Sequence, residues 1–229
     1  MGFWESTLEE MEMSFINPNK KFWQDKRVLI TGHTGFKGTW LSIWLASLGA
    51  KVQGYSLDLP TRPSLFEKSD INKQIDSQMG DVRDFEKLSK KLTDFSPDIV
   101  FHCAAQSLVR DSYHDPIQTY STNIMGTVNL FQACRSAEKL KVIVNITSDK
   151  CYENKEQLWA YRENDILGGT DPYSNSKGCA ELITKSFRDC FFSKAGIYLG
   201  SVRAGNVIGG GDWANERLVP DILRAYEKK

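Results

Sequence analysis

A doubly wound α/β fold with a parallel sheet is what this chain predicts, on three observations. Its strands read as short continuous apolar runs, as strands buried on both faces do. Those runs alternate with helical patterns along the chain. A glycine-rich loop, T-G-H-T-G-F-K-G at 31–38, stands between the first strand and the first helix. The first strand is Val28-Leu29-Ile30. A helix over 36–48 follows, with Trp40, Leu41, Trp44, Leu45 and Leu48 on one face at helical spacing, ended by Gly49. Residues 51–57 form the second strand, and Gly80-Asp81-Val82 places Asp81 at a strand end. A charged helical stretch over 82–95 and a buried strand over 98–101 come next. A long helix runs over about 117–137, and a strand spans 142–146. Pro172 opens a helix over about 173–192. A strand over 197–202 and a helix from 218 to 226 complete the order.

Composition agrees with a globular chain. It has 229 residues, 41% hydrophobic and 25% charged, enough for one large domain or one and a half. Twenty-nine Lys+Arg balance 29 Asp+Glu. A zero formal charge argues against a general nucleic-acid or anionic-membrane surface, though not against a local basic pocket. No run reaches the roughly 18–20 apolar residues that span a bilayer. Five cysteines, an odd number without C-x-x-C, read as buried thiols in a reducing, cytoplasmic compartment. His102 reads as a core or supporting histidine. It and His114 lack partners at metal-ligand spacing, so no metal site is expected.

Three domain segments are expected. Residues 1–25 are an acidic N-terminal extension, amphipathic at first and turning at Asn17-Pro18-Asn19. It lacks the basic region of a secretory leader. Met1-Gly2 with Ser6 matches the loose myristoylation pattern, read as coincidence because no basic second anchor follows. Residues 26–203 form the Rossmann-type dinucleotide domain with the catalytic residues. Residues 204–229 begin a smaller C-terminal substrate lobe, largely missing from this chain, whose last residues fall inside a helical pattern.

The loop points to a dinucleotide. Gly32 permits the tight turn, Gly35 lets the backbone approach a pyrophosphate, and Gly38 allows close packing of the helix. The helix N-terminus offers free N–H groups to the anion. Gly38 is followed by Thr39, so this is not a Walker A loop. Asp58, 20 residues on, stands where a carboxylate would hold the ribose 2′-hydroxyl and favour NAD over NADP. A solvated loop carboxylate is the alternative. Asp81 lies near the adenine or caps the next helix.

Tyr173 and Lys177 stand four apart on one helical face. A tyrosine is a poor base at neutral pH, and a neighbouring ammonium lowers its pKa. Ser148, at the end of the preceding strand, can hold the substrate oxygen while Tyr173 takes the proton. Asp149 and Lys150 beside it suggest a second proton-transfer step, or else a helix cap and a surface lysine. Arg203 can grip phosphate as a fork. Gly205-Asn206 and Gly209-Gly210-Gly211 suit close approach to a ligand, or merely a flexible loop.

With T-G-H-T-G-F-K-G at 31–38 and Y-S-N-S-K at 173–177, the chain resembles the extended short-chain dehydrogenase/reductases. H-C-A-A-Q-S-L-V-R-D-S-Y (102–113), T-N-I-M-G-T-V-N-L (122–130), T-S-D-K-C-Y-E-N-K-E (147–156) and R-A-G-N-V-I-G-G-G-D-W-A (203–214) narrow this to the nucleotide-sugar dehydratases. The resemblance, from about residue 22 onward, implies tightly held NAD. It implies oxidation at C4, loss of water across C5–C6 and hydride return to C6, with Tyr173 the base and Asp149 the acid. Lys150 replaces the Glu of the Asp-Glu pair found in related dehydratases. As the C5 base it would need its pKa depressed. By family position Gly32, Gly35, Phe36, Lys37 and Gly38 contact the pyrophosphate. Asp81 and Val82 flank the adenine, and Ala104, Ala105 and Gln106 line the nicotinamide side. Ser107, Arg110, Asn206 and Arg217 face the nucleotide-sugar substrate. His33, where relatives carry a small residue, is expected to crowd the pyrophosphate. A homodimer or higher oligomer is implied, paired through the helices at 117–137 and 173–192. A 4-epimerase of the same fold and a non-catalytic NAD-binding module are the alternatives.

Overall fold

The computed structural model of the protein describes residues 19–228. Six parallel strands form one sheet in the order β3-β2-β1-β4-β5-β6. They are β1 (Arg27–Thr31), β2 (Lys51–Ser56), β3 (Asp76–Met79), β4 (Ile99–His102), β5 (Val142–Ile146) and β6 (Tyr198–Val202). The strand order reverses at β1, where Thr31 is flanked by Tyr55 and His102. A parallel sheet needs crossovers, and helices supply them. Helix α1 (Phe36–Ser47) joins β1 to β2, and α2 (Phe85–Phe95) joins β3 to β4. Helix α3 (Val109–His114) leads into α4, residues 116–134, and α5 (Pro172–Phe187) precedes β6. Helix α6 (Leu218–Glu227) ends the described chain.

Alternate residues of β1 face opposite layers. Leu29 packs with Leu88, Leu92, Leu130 and Phe131 under α2 and α4. Val28 and Ile30 pack with Leu45, Val52 and Phe66 on the other side. Trp23, in a short helical turn at Lys20–Trp23, leans on this second layer against Phe101. The expected burial of both sheet faces holds around β1 and fails at β6. There Tyr198 and Val202 are 77% and 46% exposed.

Three details depart from the sequence reading. In α1 the buried residues are Gly38, Thr39, Ser42 and Leu45, while Trp40 and Trp44 are exposed. Close approach of α1 to the loop leaves room only for small residues, so the indoles turn outward. The Trp40 indole N–H donates to the Gly210 carbonyl (2.9 Å). Strand β3, D-S-Q-M, has no apolar run to announce it, because it is an edge strand. Residues 121–125 of α4 make a π-turn, and residues 188–192 make another after α5. Gly49 ends α1 as expected, with φ +88°. Among the described residues the cysteines are free thiols, with Cys134 and Cys151 buried and Cys190 exposed. No described helix is long and apolar enough to cross a membrane. The myristoylation pattern and the amphipathic stretch at the start of the extension lie outside the described residues.

Candidate active site

A cavity of about 420 Å³ opens at the switch point between β1 and β4. Gly32, with φ +74°, turns the chain out of β1. A Cβ there would meet the Ala104 backbone nitrogen at 2.7 Å, and one on Gly38 would lie 2.2 Å from the Gly32 carbonyl oxygen. Those two glycines are required by the protein's own packing. Gly35 is different, since a Cβ there would be 3.3 Å from its nearest neighbour and the residue lines the cavity. Gly35 also caps α1 without a side chain, whereas Asp84 and Asp171 cap α2 and α5 through theirs. The first-turn N–H groups of α1 are therefore left for an anion. Asp84, not Asp81, is the cap of α2.

Phe36, Lys37, Val82, Ala104, Ala105, Ser107 and Arg217 line the same cavity. Asp81 lines it too, and Arg83 beside it lowers its pKa. Asp58 stands on the rim, its side chain 82% exposed, accepting the Leu59 N–H at 2.7 Å. Gly211, in the glycine run expected near a ligand, lines the cavity, and so do Asp212 and Trp213, which no motif assigned; Gly209 packs on Phe36 and Gly211 on Leu65. Asp212 holds Arg217 at 3.2 Å. The G-G-G-D-W string was the available signal.

Five residues expected at a ligand lie away from the cavity. The His33 side chain is fully buried and points under β2, away from the cavity. Its ring covers Gly54, meets Phe66 edge-on (5.2 Å) and hydrogen-bonds Ser77 Oγ through Nε2 (2.8 Å). It cannot crowd a pyrophosphate from there. Gln106 folds back onto its own loop, accepting the Leu108 N–H at 2.6 Å and donating to the Leu108 carbonyl at 2.9 Å. It braces the loop that presents Ala104 and Ala105. Arg110 reaches Glu216 (3.3 Å) with its side chain 76% exposed, and Asn206 is exposed outside the cavity lining. Arg203 is committed to protein partners: Glu181 (2.8 Å), the Tyr152 hydroxyl and the Glu163 carbonyl (both 2.9 Å). No part of it lines the cavity.

Burial holds the His33 imidazole neutral, its pKa lowered to about 4. The unfolded chain binds that proton near the ordinary value of about 6.5. Stability from this site is therefore full above that value and is lost progressively as pH falls from it to the folded-state value. Urea unfolding of the protein should show a His33-dependent loss of about 2 kcal/mol between about pH 7 and pH 5. His33→Asn should remove that increment. An identical pH dependence in the variant would refute the assignment.

The catalytic candidates converge at the C-terminal end of β5. Ser148 is buried and caps the short turn Asp149–Cys151, accepting the Lys150 N–H at 3.2 Å. Its hydroxyl donates to Asp149 Oδ1 at 3.1 Å. Asp149 and Lys150 are exposed, so the desolvation needed by a lysine base is absent from the protein shell alone. The first turn of α5 presents Tyr173, 9% exposed, whose N–H donates to Ser112 Oγ. Burial raises the Tyr173 pKa and Asp149 adds to it, while the Ser148 hydroxyl and Arg217 oppose them. Lysine's expected lowering of the phenol is therefore not what dominates in the protein shell. Lys177 Nζ lies 6.0 Å from the Tyr173 ring centroid. Burial, then the like charge of Lys37, lowers its pKa to about 8.

Behind these groups, Asn123 in the π-turn ties the elements together. Its amide donates to Ser176 Oγ (2.8 Å) and the Gln106 carbonyl (3.0 Å), and its Oδ1 accepts the Gln106 N–H (2.8 Å). A π-turn commonly marks a functional site, and hydrophobic periodicity gives no sign of it. His102 is the supporting residue expected. It is bound to Thr31 Oγ1 (2.6 Å) and Thr127 Oγ1 (3.1 Å), and burial lowers its pKa to about 3. No metal-ligand cluster occurs among the described residues.

Known proteins match this architecture. A family model described as GDP-mannose 4,6 dehydratase matches residues 29–199. A CDP-glucose 4,6-dehydratase of Salmonella typhimurium is 61% identical over 214 residues, covering 91% of this chain and 60% of that protein. The chain thus spans less than two thirds of that relative's length. A UDP-N-acetylglucosamine 4-epimerase from Methanobrevibacter ruminantium, solved with UDP-N-acetylmuramic acid, superposes with TM-score 0.76 at 26% identity, over 90% of this chain and 64% of that one. A dTDP-glucose 4,6-dehydratase double mutant from Streptomyces venezuelae, solved with NAD, shares the fold with TM-score 0.77 at 22% identity, over 88% of this chain and 62% of that one.

Proposed function

We propose, since the chain belongs to the GDP-mannose 4,6-dehydratase family, that it bears the catalytic and dinucleotide-binding part of a nucleotide-sugar 4,6-dehydratase acting on CDP-glucose. The observation that carries dehydration is Asp149, which accepts from Ser148 and lies close enough to Tyr173 to raise its pKa. Epimerisation at C4 would leave this carboxyl idle, and a non-catalytic module would need none of the set. CDP-glucose itself comes from the 61% identity to the Salmonella enzyme.

NAD fits the cavity: the uncapped start of α1 suits its pyrophosphate, and Asp58 and Asp81, which line the same cavity, suit ribose and adenine. When bound, NAD supplies the hydride chemistry at C4 and C6. The chain's own residues supply the rest. Tyr173, as the phenolate, takes the 4-hydroxyl proton, and Ser148 orients that oxygen. Asp149 delivers a proton to the 6-hydroxyl as water leaves. Lys150 takes the C5 proton once bound sugar shields it from solvent. The segment 26–203 is the dinucleotide domain in this reading, and 204–229 belongs to the substrate side. Exposed Ile117 and Met125 on α4 and Leu182 on α5 suit a homodimer through those helices, in the cytoplasm.

Incubation with CDP-glucose should yield a 4-keto-6-deoxy sugar, detected by the absorbance it develops in alkali. No signal with CDP-, dTDP-, UDP- or GDP-glucose would reject the reading.

A further inference from the structure

We propose that Glu181, through its ion pair with Arg203, is a positioning residue that sets the Ser148–Asp149 turn against the Tyr173 face of α5. The inference rests on the dehydratase reading for its kinetic consequence, though its geometry stands apart. Glu181 lies one helical turn beyond Lys177 and two beyond Tyr173, on the same face. Its side chain is 4% exposed. One carboxylate oxygen accepts the Thr147 hydroxyl, and the other accepts Ser201 Oγ and Arg203 Nη2, both at 2.8 Å. Arg203 in turn donates to the Tyr152 hydroxyl at 2.9 Å, and Tyr152 stacks on Tyr161 with centroids 5.0 Å apart.

The order of these residues along the chain gives the pair its purpose. Thr147 immediately precedes Ser148, and Tyr152 immediately follows the turn Asp149–Cys151. One ion pair therefore grips the turn at its entry through Glu181 and at its exit through Arg203. The middle is pinned as well, by the Asp149 N–H on the Ala204 carbonyl at 3.1 Å. Desolvation makes a buried ion pair a weak source of stability, but its directional bonds fix geometry when every donor and acceptor is used. Arg203 points its fork at Glu181, Tyr152 and Glu163, which is why it is not a phosphate ligand.

Removing one partner alone would strand a buried charge and threaten folding. The test is therefore the double variant Glu181→Gln/Arg203→Gln, with Glu181→Asp as the conservative comparison. Hydrogen exchange at the amides of residues 149–152, measured without substrate, should accelerate at least about tenfold in the double variant while β1 and β4 amides hold their rates. Turnover on CDP-glucose should fall at least about tenfold with KM changed less than about twofold, as misplacement of reacting groups predicts. Glu181→Asp, which keeps the charge, should recover part of both. Unchanged exchange in the turn overturns the proposal, as does accelerated exchange with unchanged turnover. If the parent protein turns over no nucleotide-glucose, the dehydratase reading falls. The exchange result then decides the grip by itself.

Discussion

Tyr173→Phe should lower turnover on CDP-glucose by about 10²–10⁴-fold, the usual worth of a positioned acid–base group. The ring that packs at the start of α5 survives in the variant, and the backbone N–H bond to Ser112 does not involve the hydroxyl. Melting temperature should therefore change little. The pH profile gives a second readout. Burial holds the phenol above its ordinary pKa, so turnover should rise as pH increases from neutrality. Lys177, lowered to about 8 by burial and Lys37, is charged below that value and can stabilise the phenolate there. The parent's rise should vanish in Tyr173→Phe. A variant that retained more than about a tenth of parental turnover would show that another group takes the proton.

Asp149→Asn should separate the two halves of the reaction. Asparagine is nearly isosteric and still offers an acceptor to Ser148 Oγ, so the turn should persist. It has no proton to give to a departing hydroxyl. Oxidation at C4 should continue, seen as reduced-nicotinamide absorbance upon mixing with CDP-glucose. The 4-keto-6-deoxy product should appear at least about 10²-fold more slowly. Loss of both steps together would assign Asp149 to shaping the site. Parental product formation would leave it without a chemical part, and the epimerase reading would gain ground.

The frame of the molecule was legible because it is written in local patterns. V-I-V-N-I became β5 over the predicted residues, and Gly49 ends α1 in the left-handed conformation its position suggested. Ser148 stands just beyond β5, and Tyr173 and Lys177 share a face of α5, because strand ends and helical spacing are local properties of the chain. What was not legible depends on which way a side chain turns. His33 reads as a loop residue, yet the absence of a Cβ on Gly54 opens a place beneath β2 that its ring fills. Arg203 carries the chemistry of a phosphate ligand, and only the fold shows Glu181 beside it, 22 residues away. Trp40 and Trp44 share an apolar face by spacing, but close loop packing reserves the inner surface for Gly38, Thr39 and Ser42. Strand β3 pairs with β2 through its backbone and a Gln53–Asp76 side-chain bond (2.6 Å), so polar residues serve and no apolar pattern marks it.

In the proposed reaction one hydrogen leaves a sugar carbon beside Tyr173 and is restored at another. Its most direct test is CDP-glucose labelled with deuterium at C4, followed by analysis of the product. The label is expected at C6 of the 4-keto-6-deoxy sugar, carried within the same turnover. Product whose C6 carries only solvent hydrogen would contradict it.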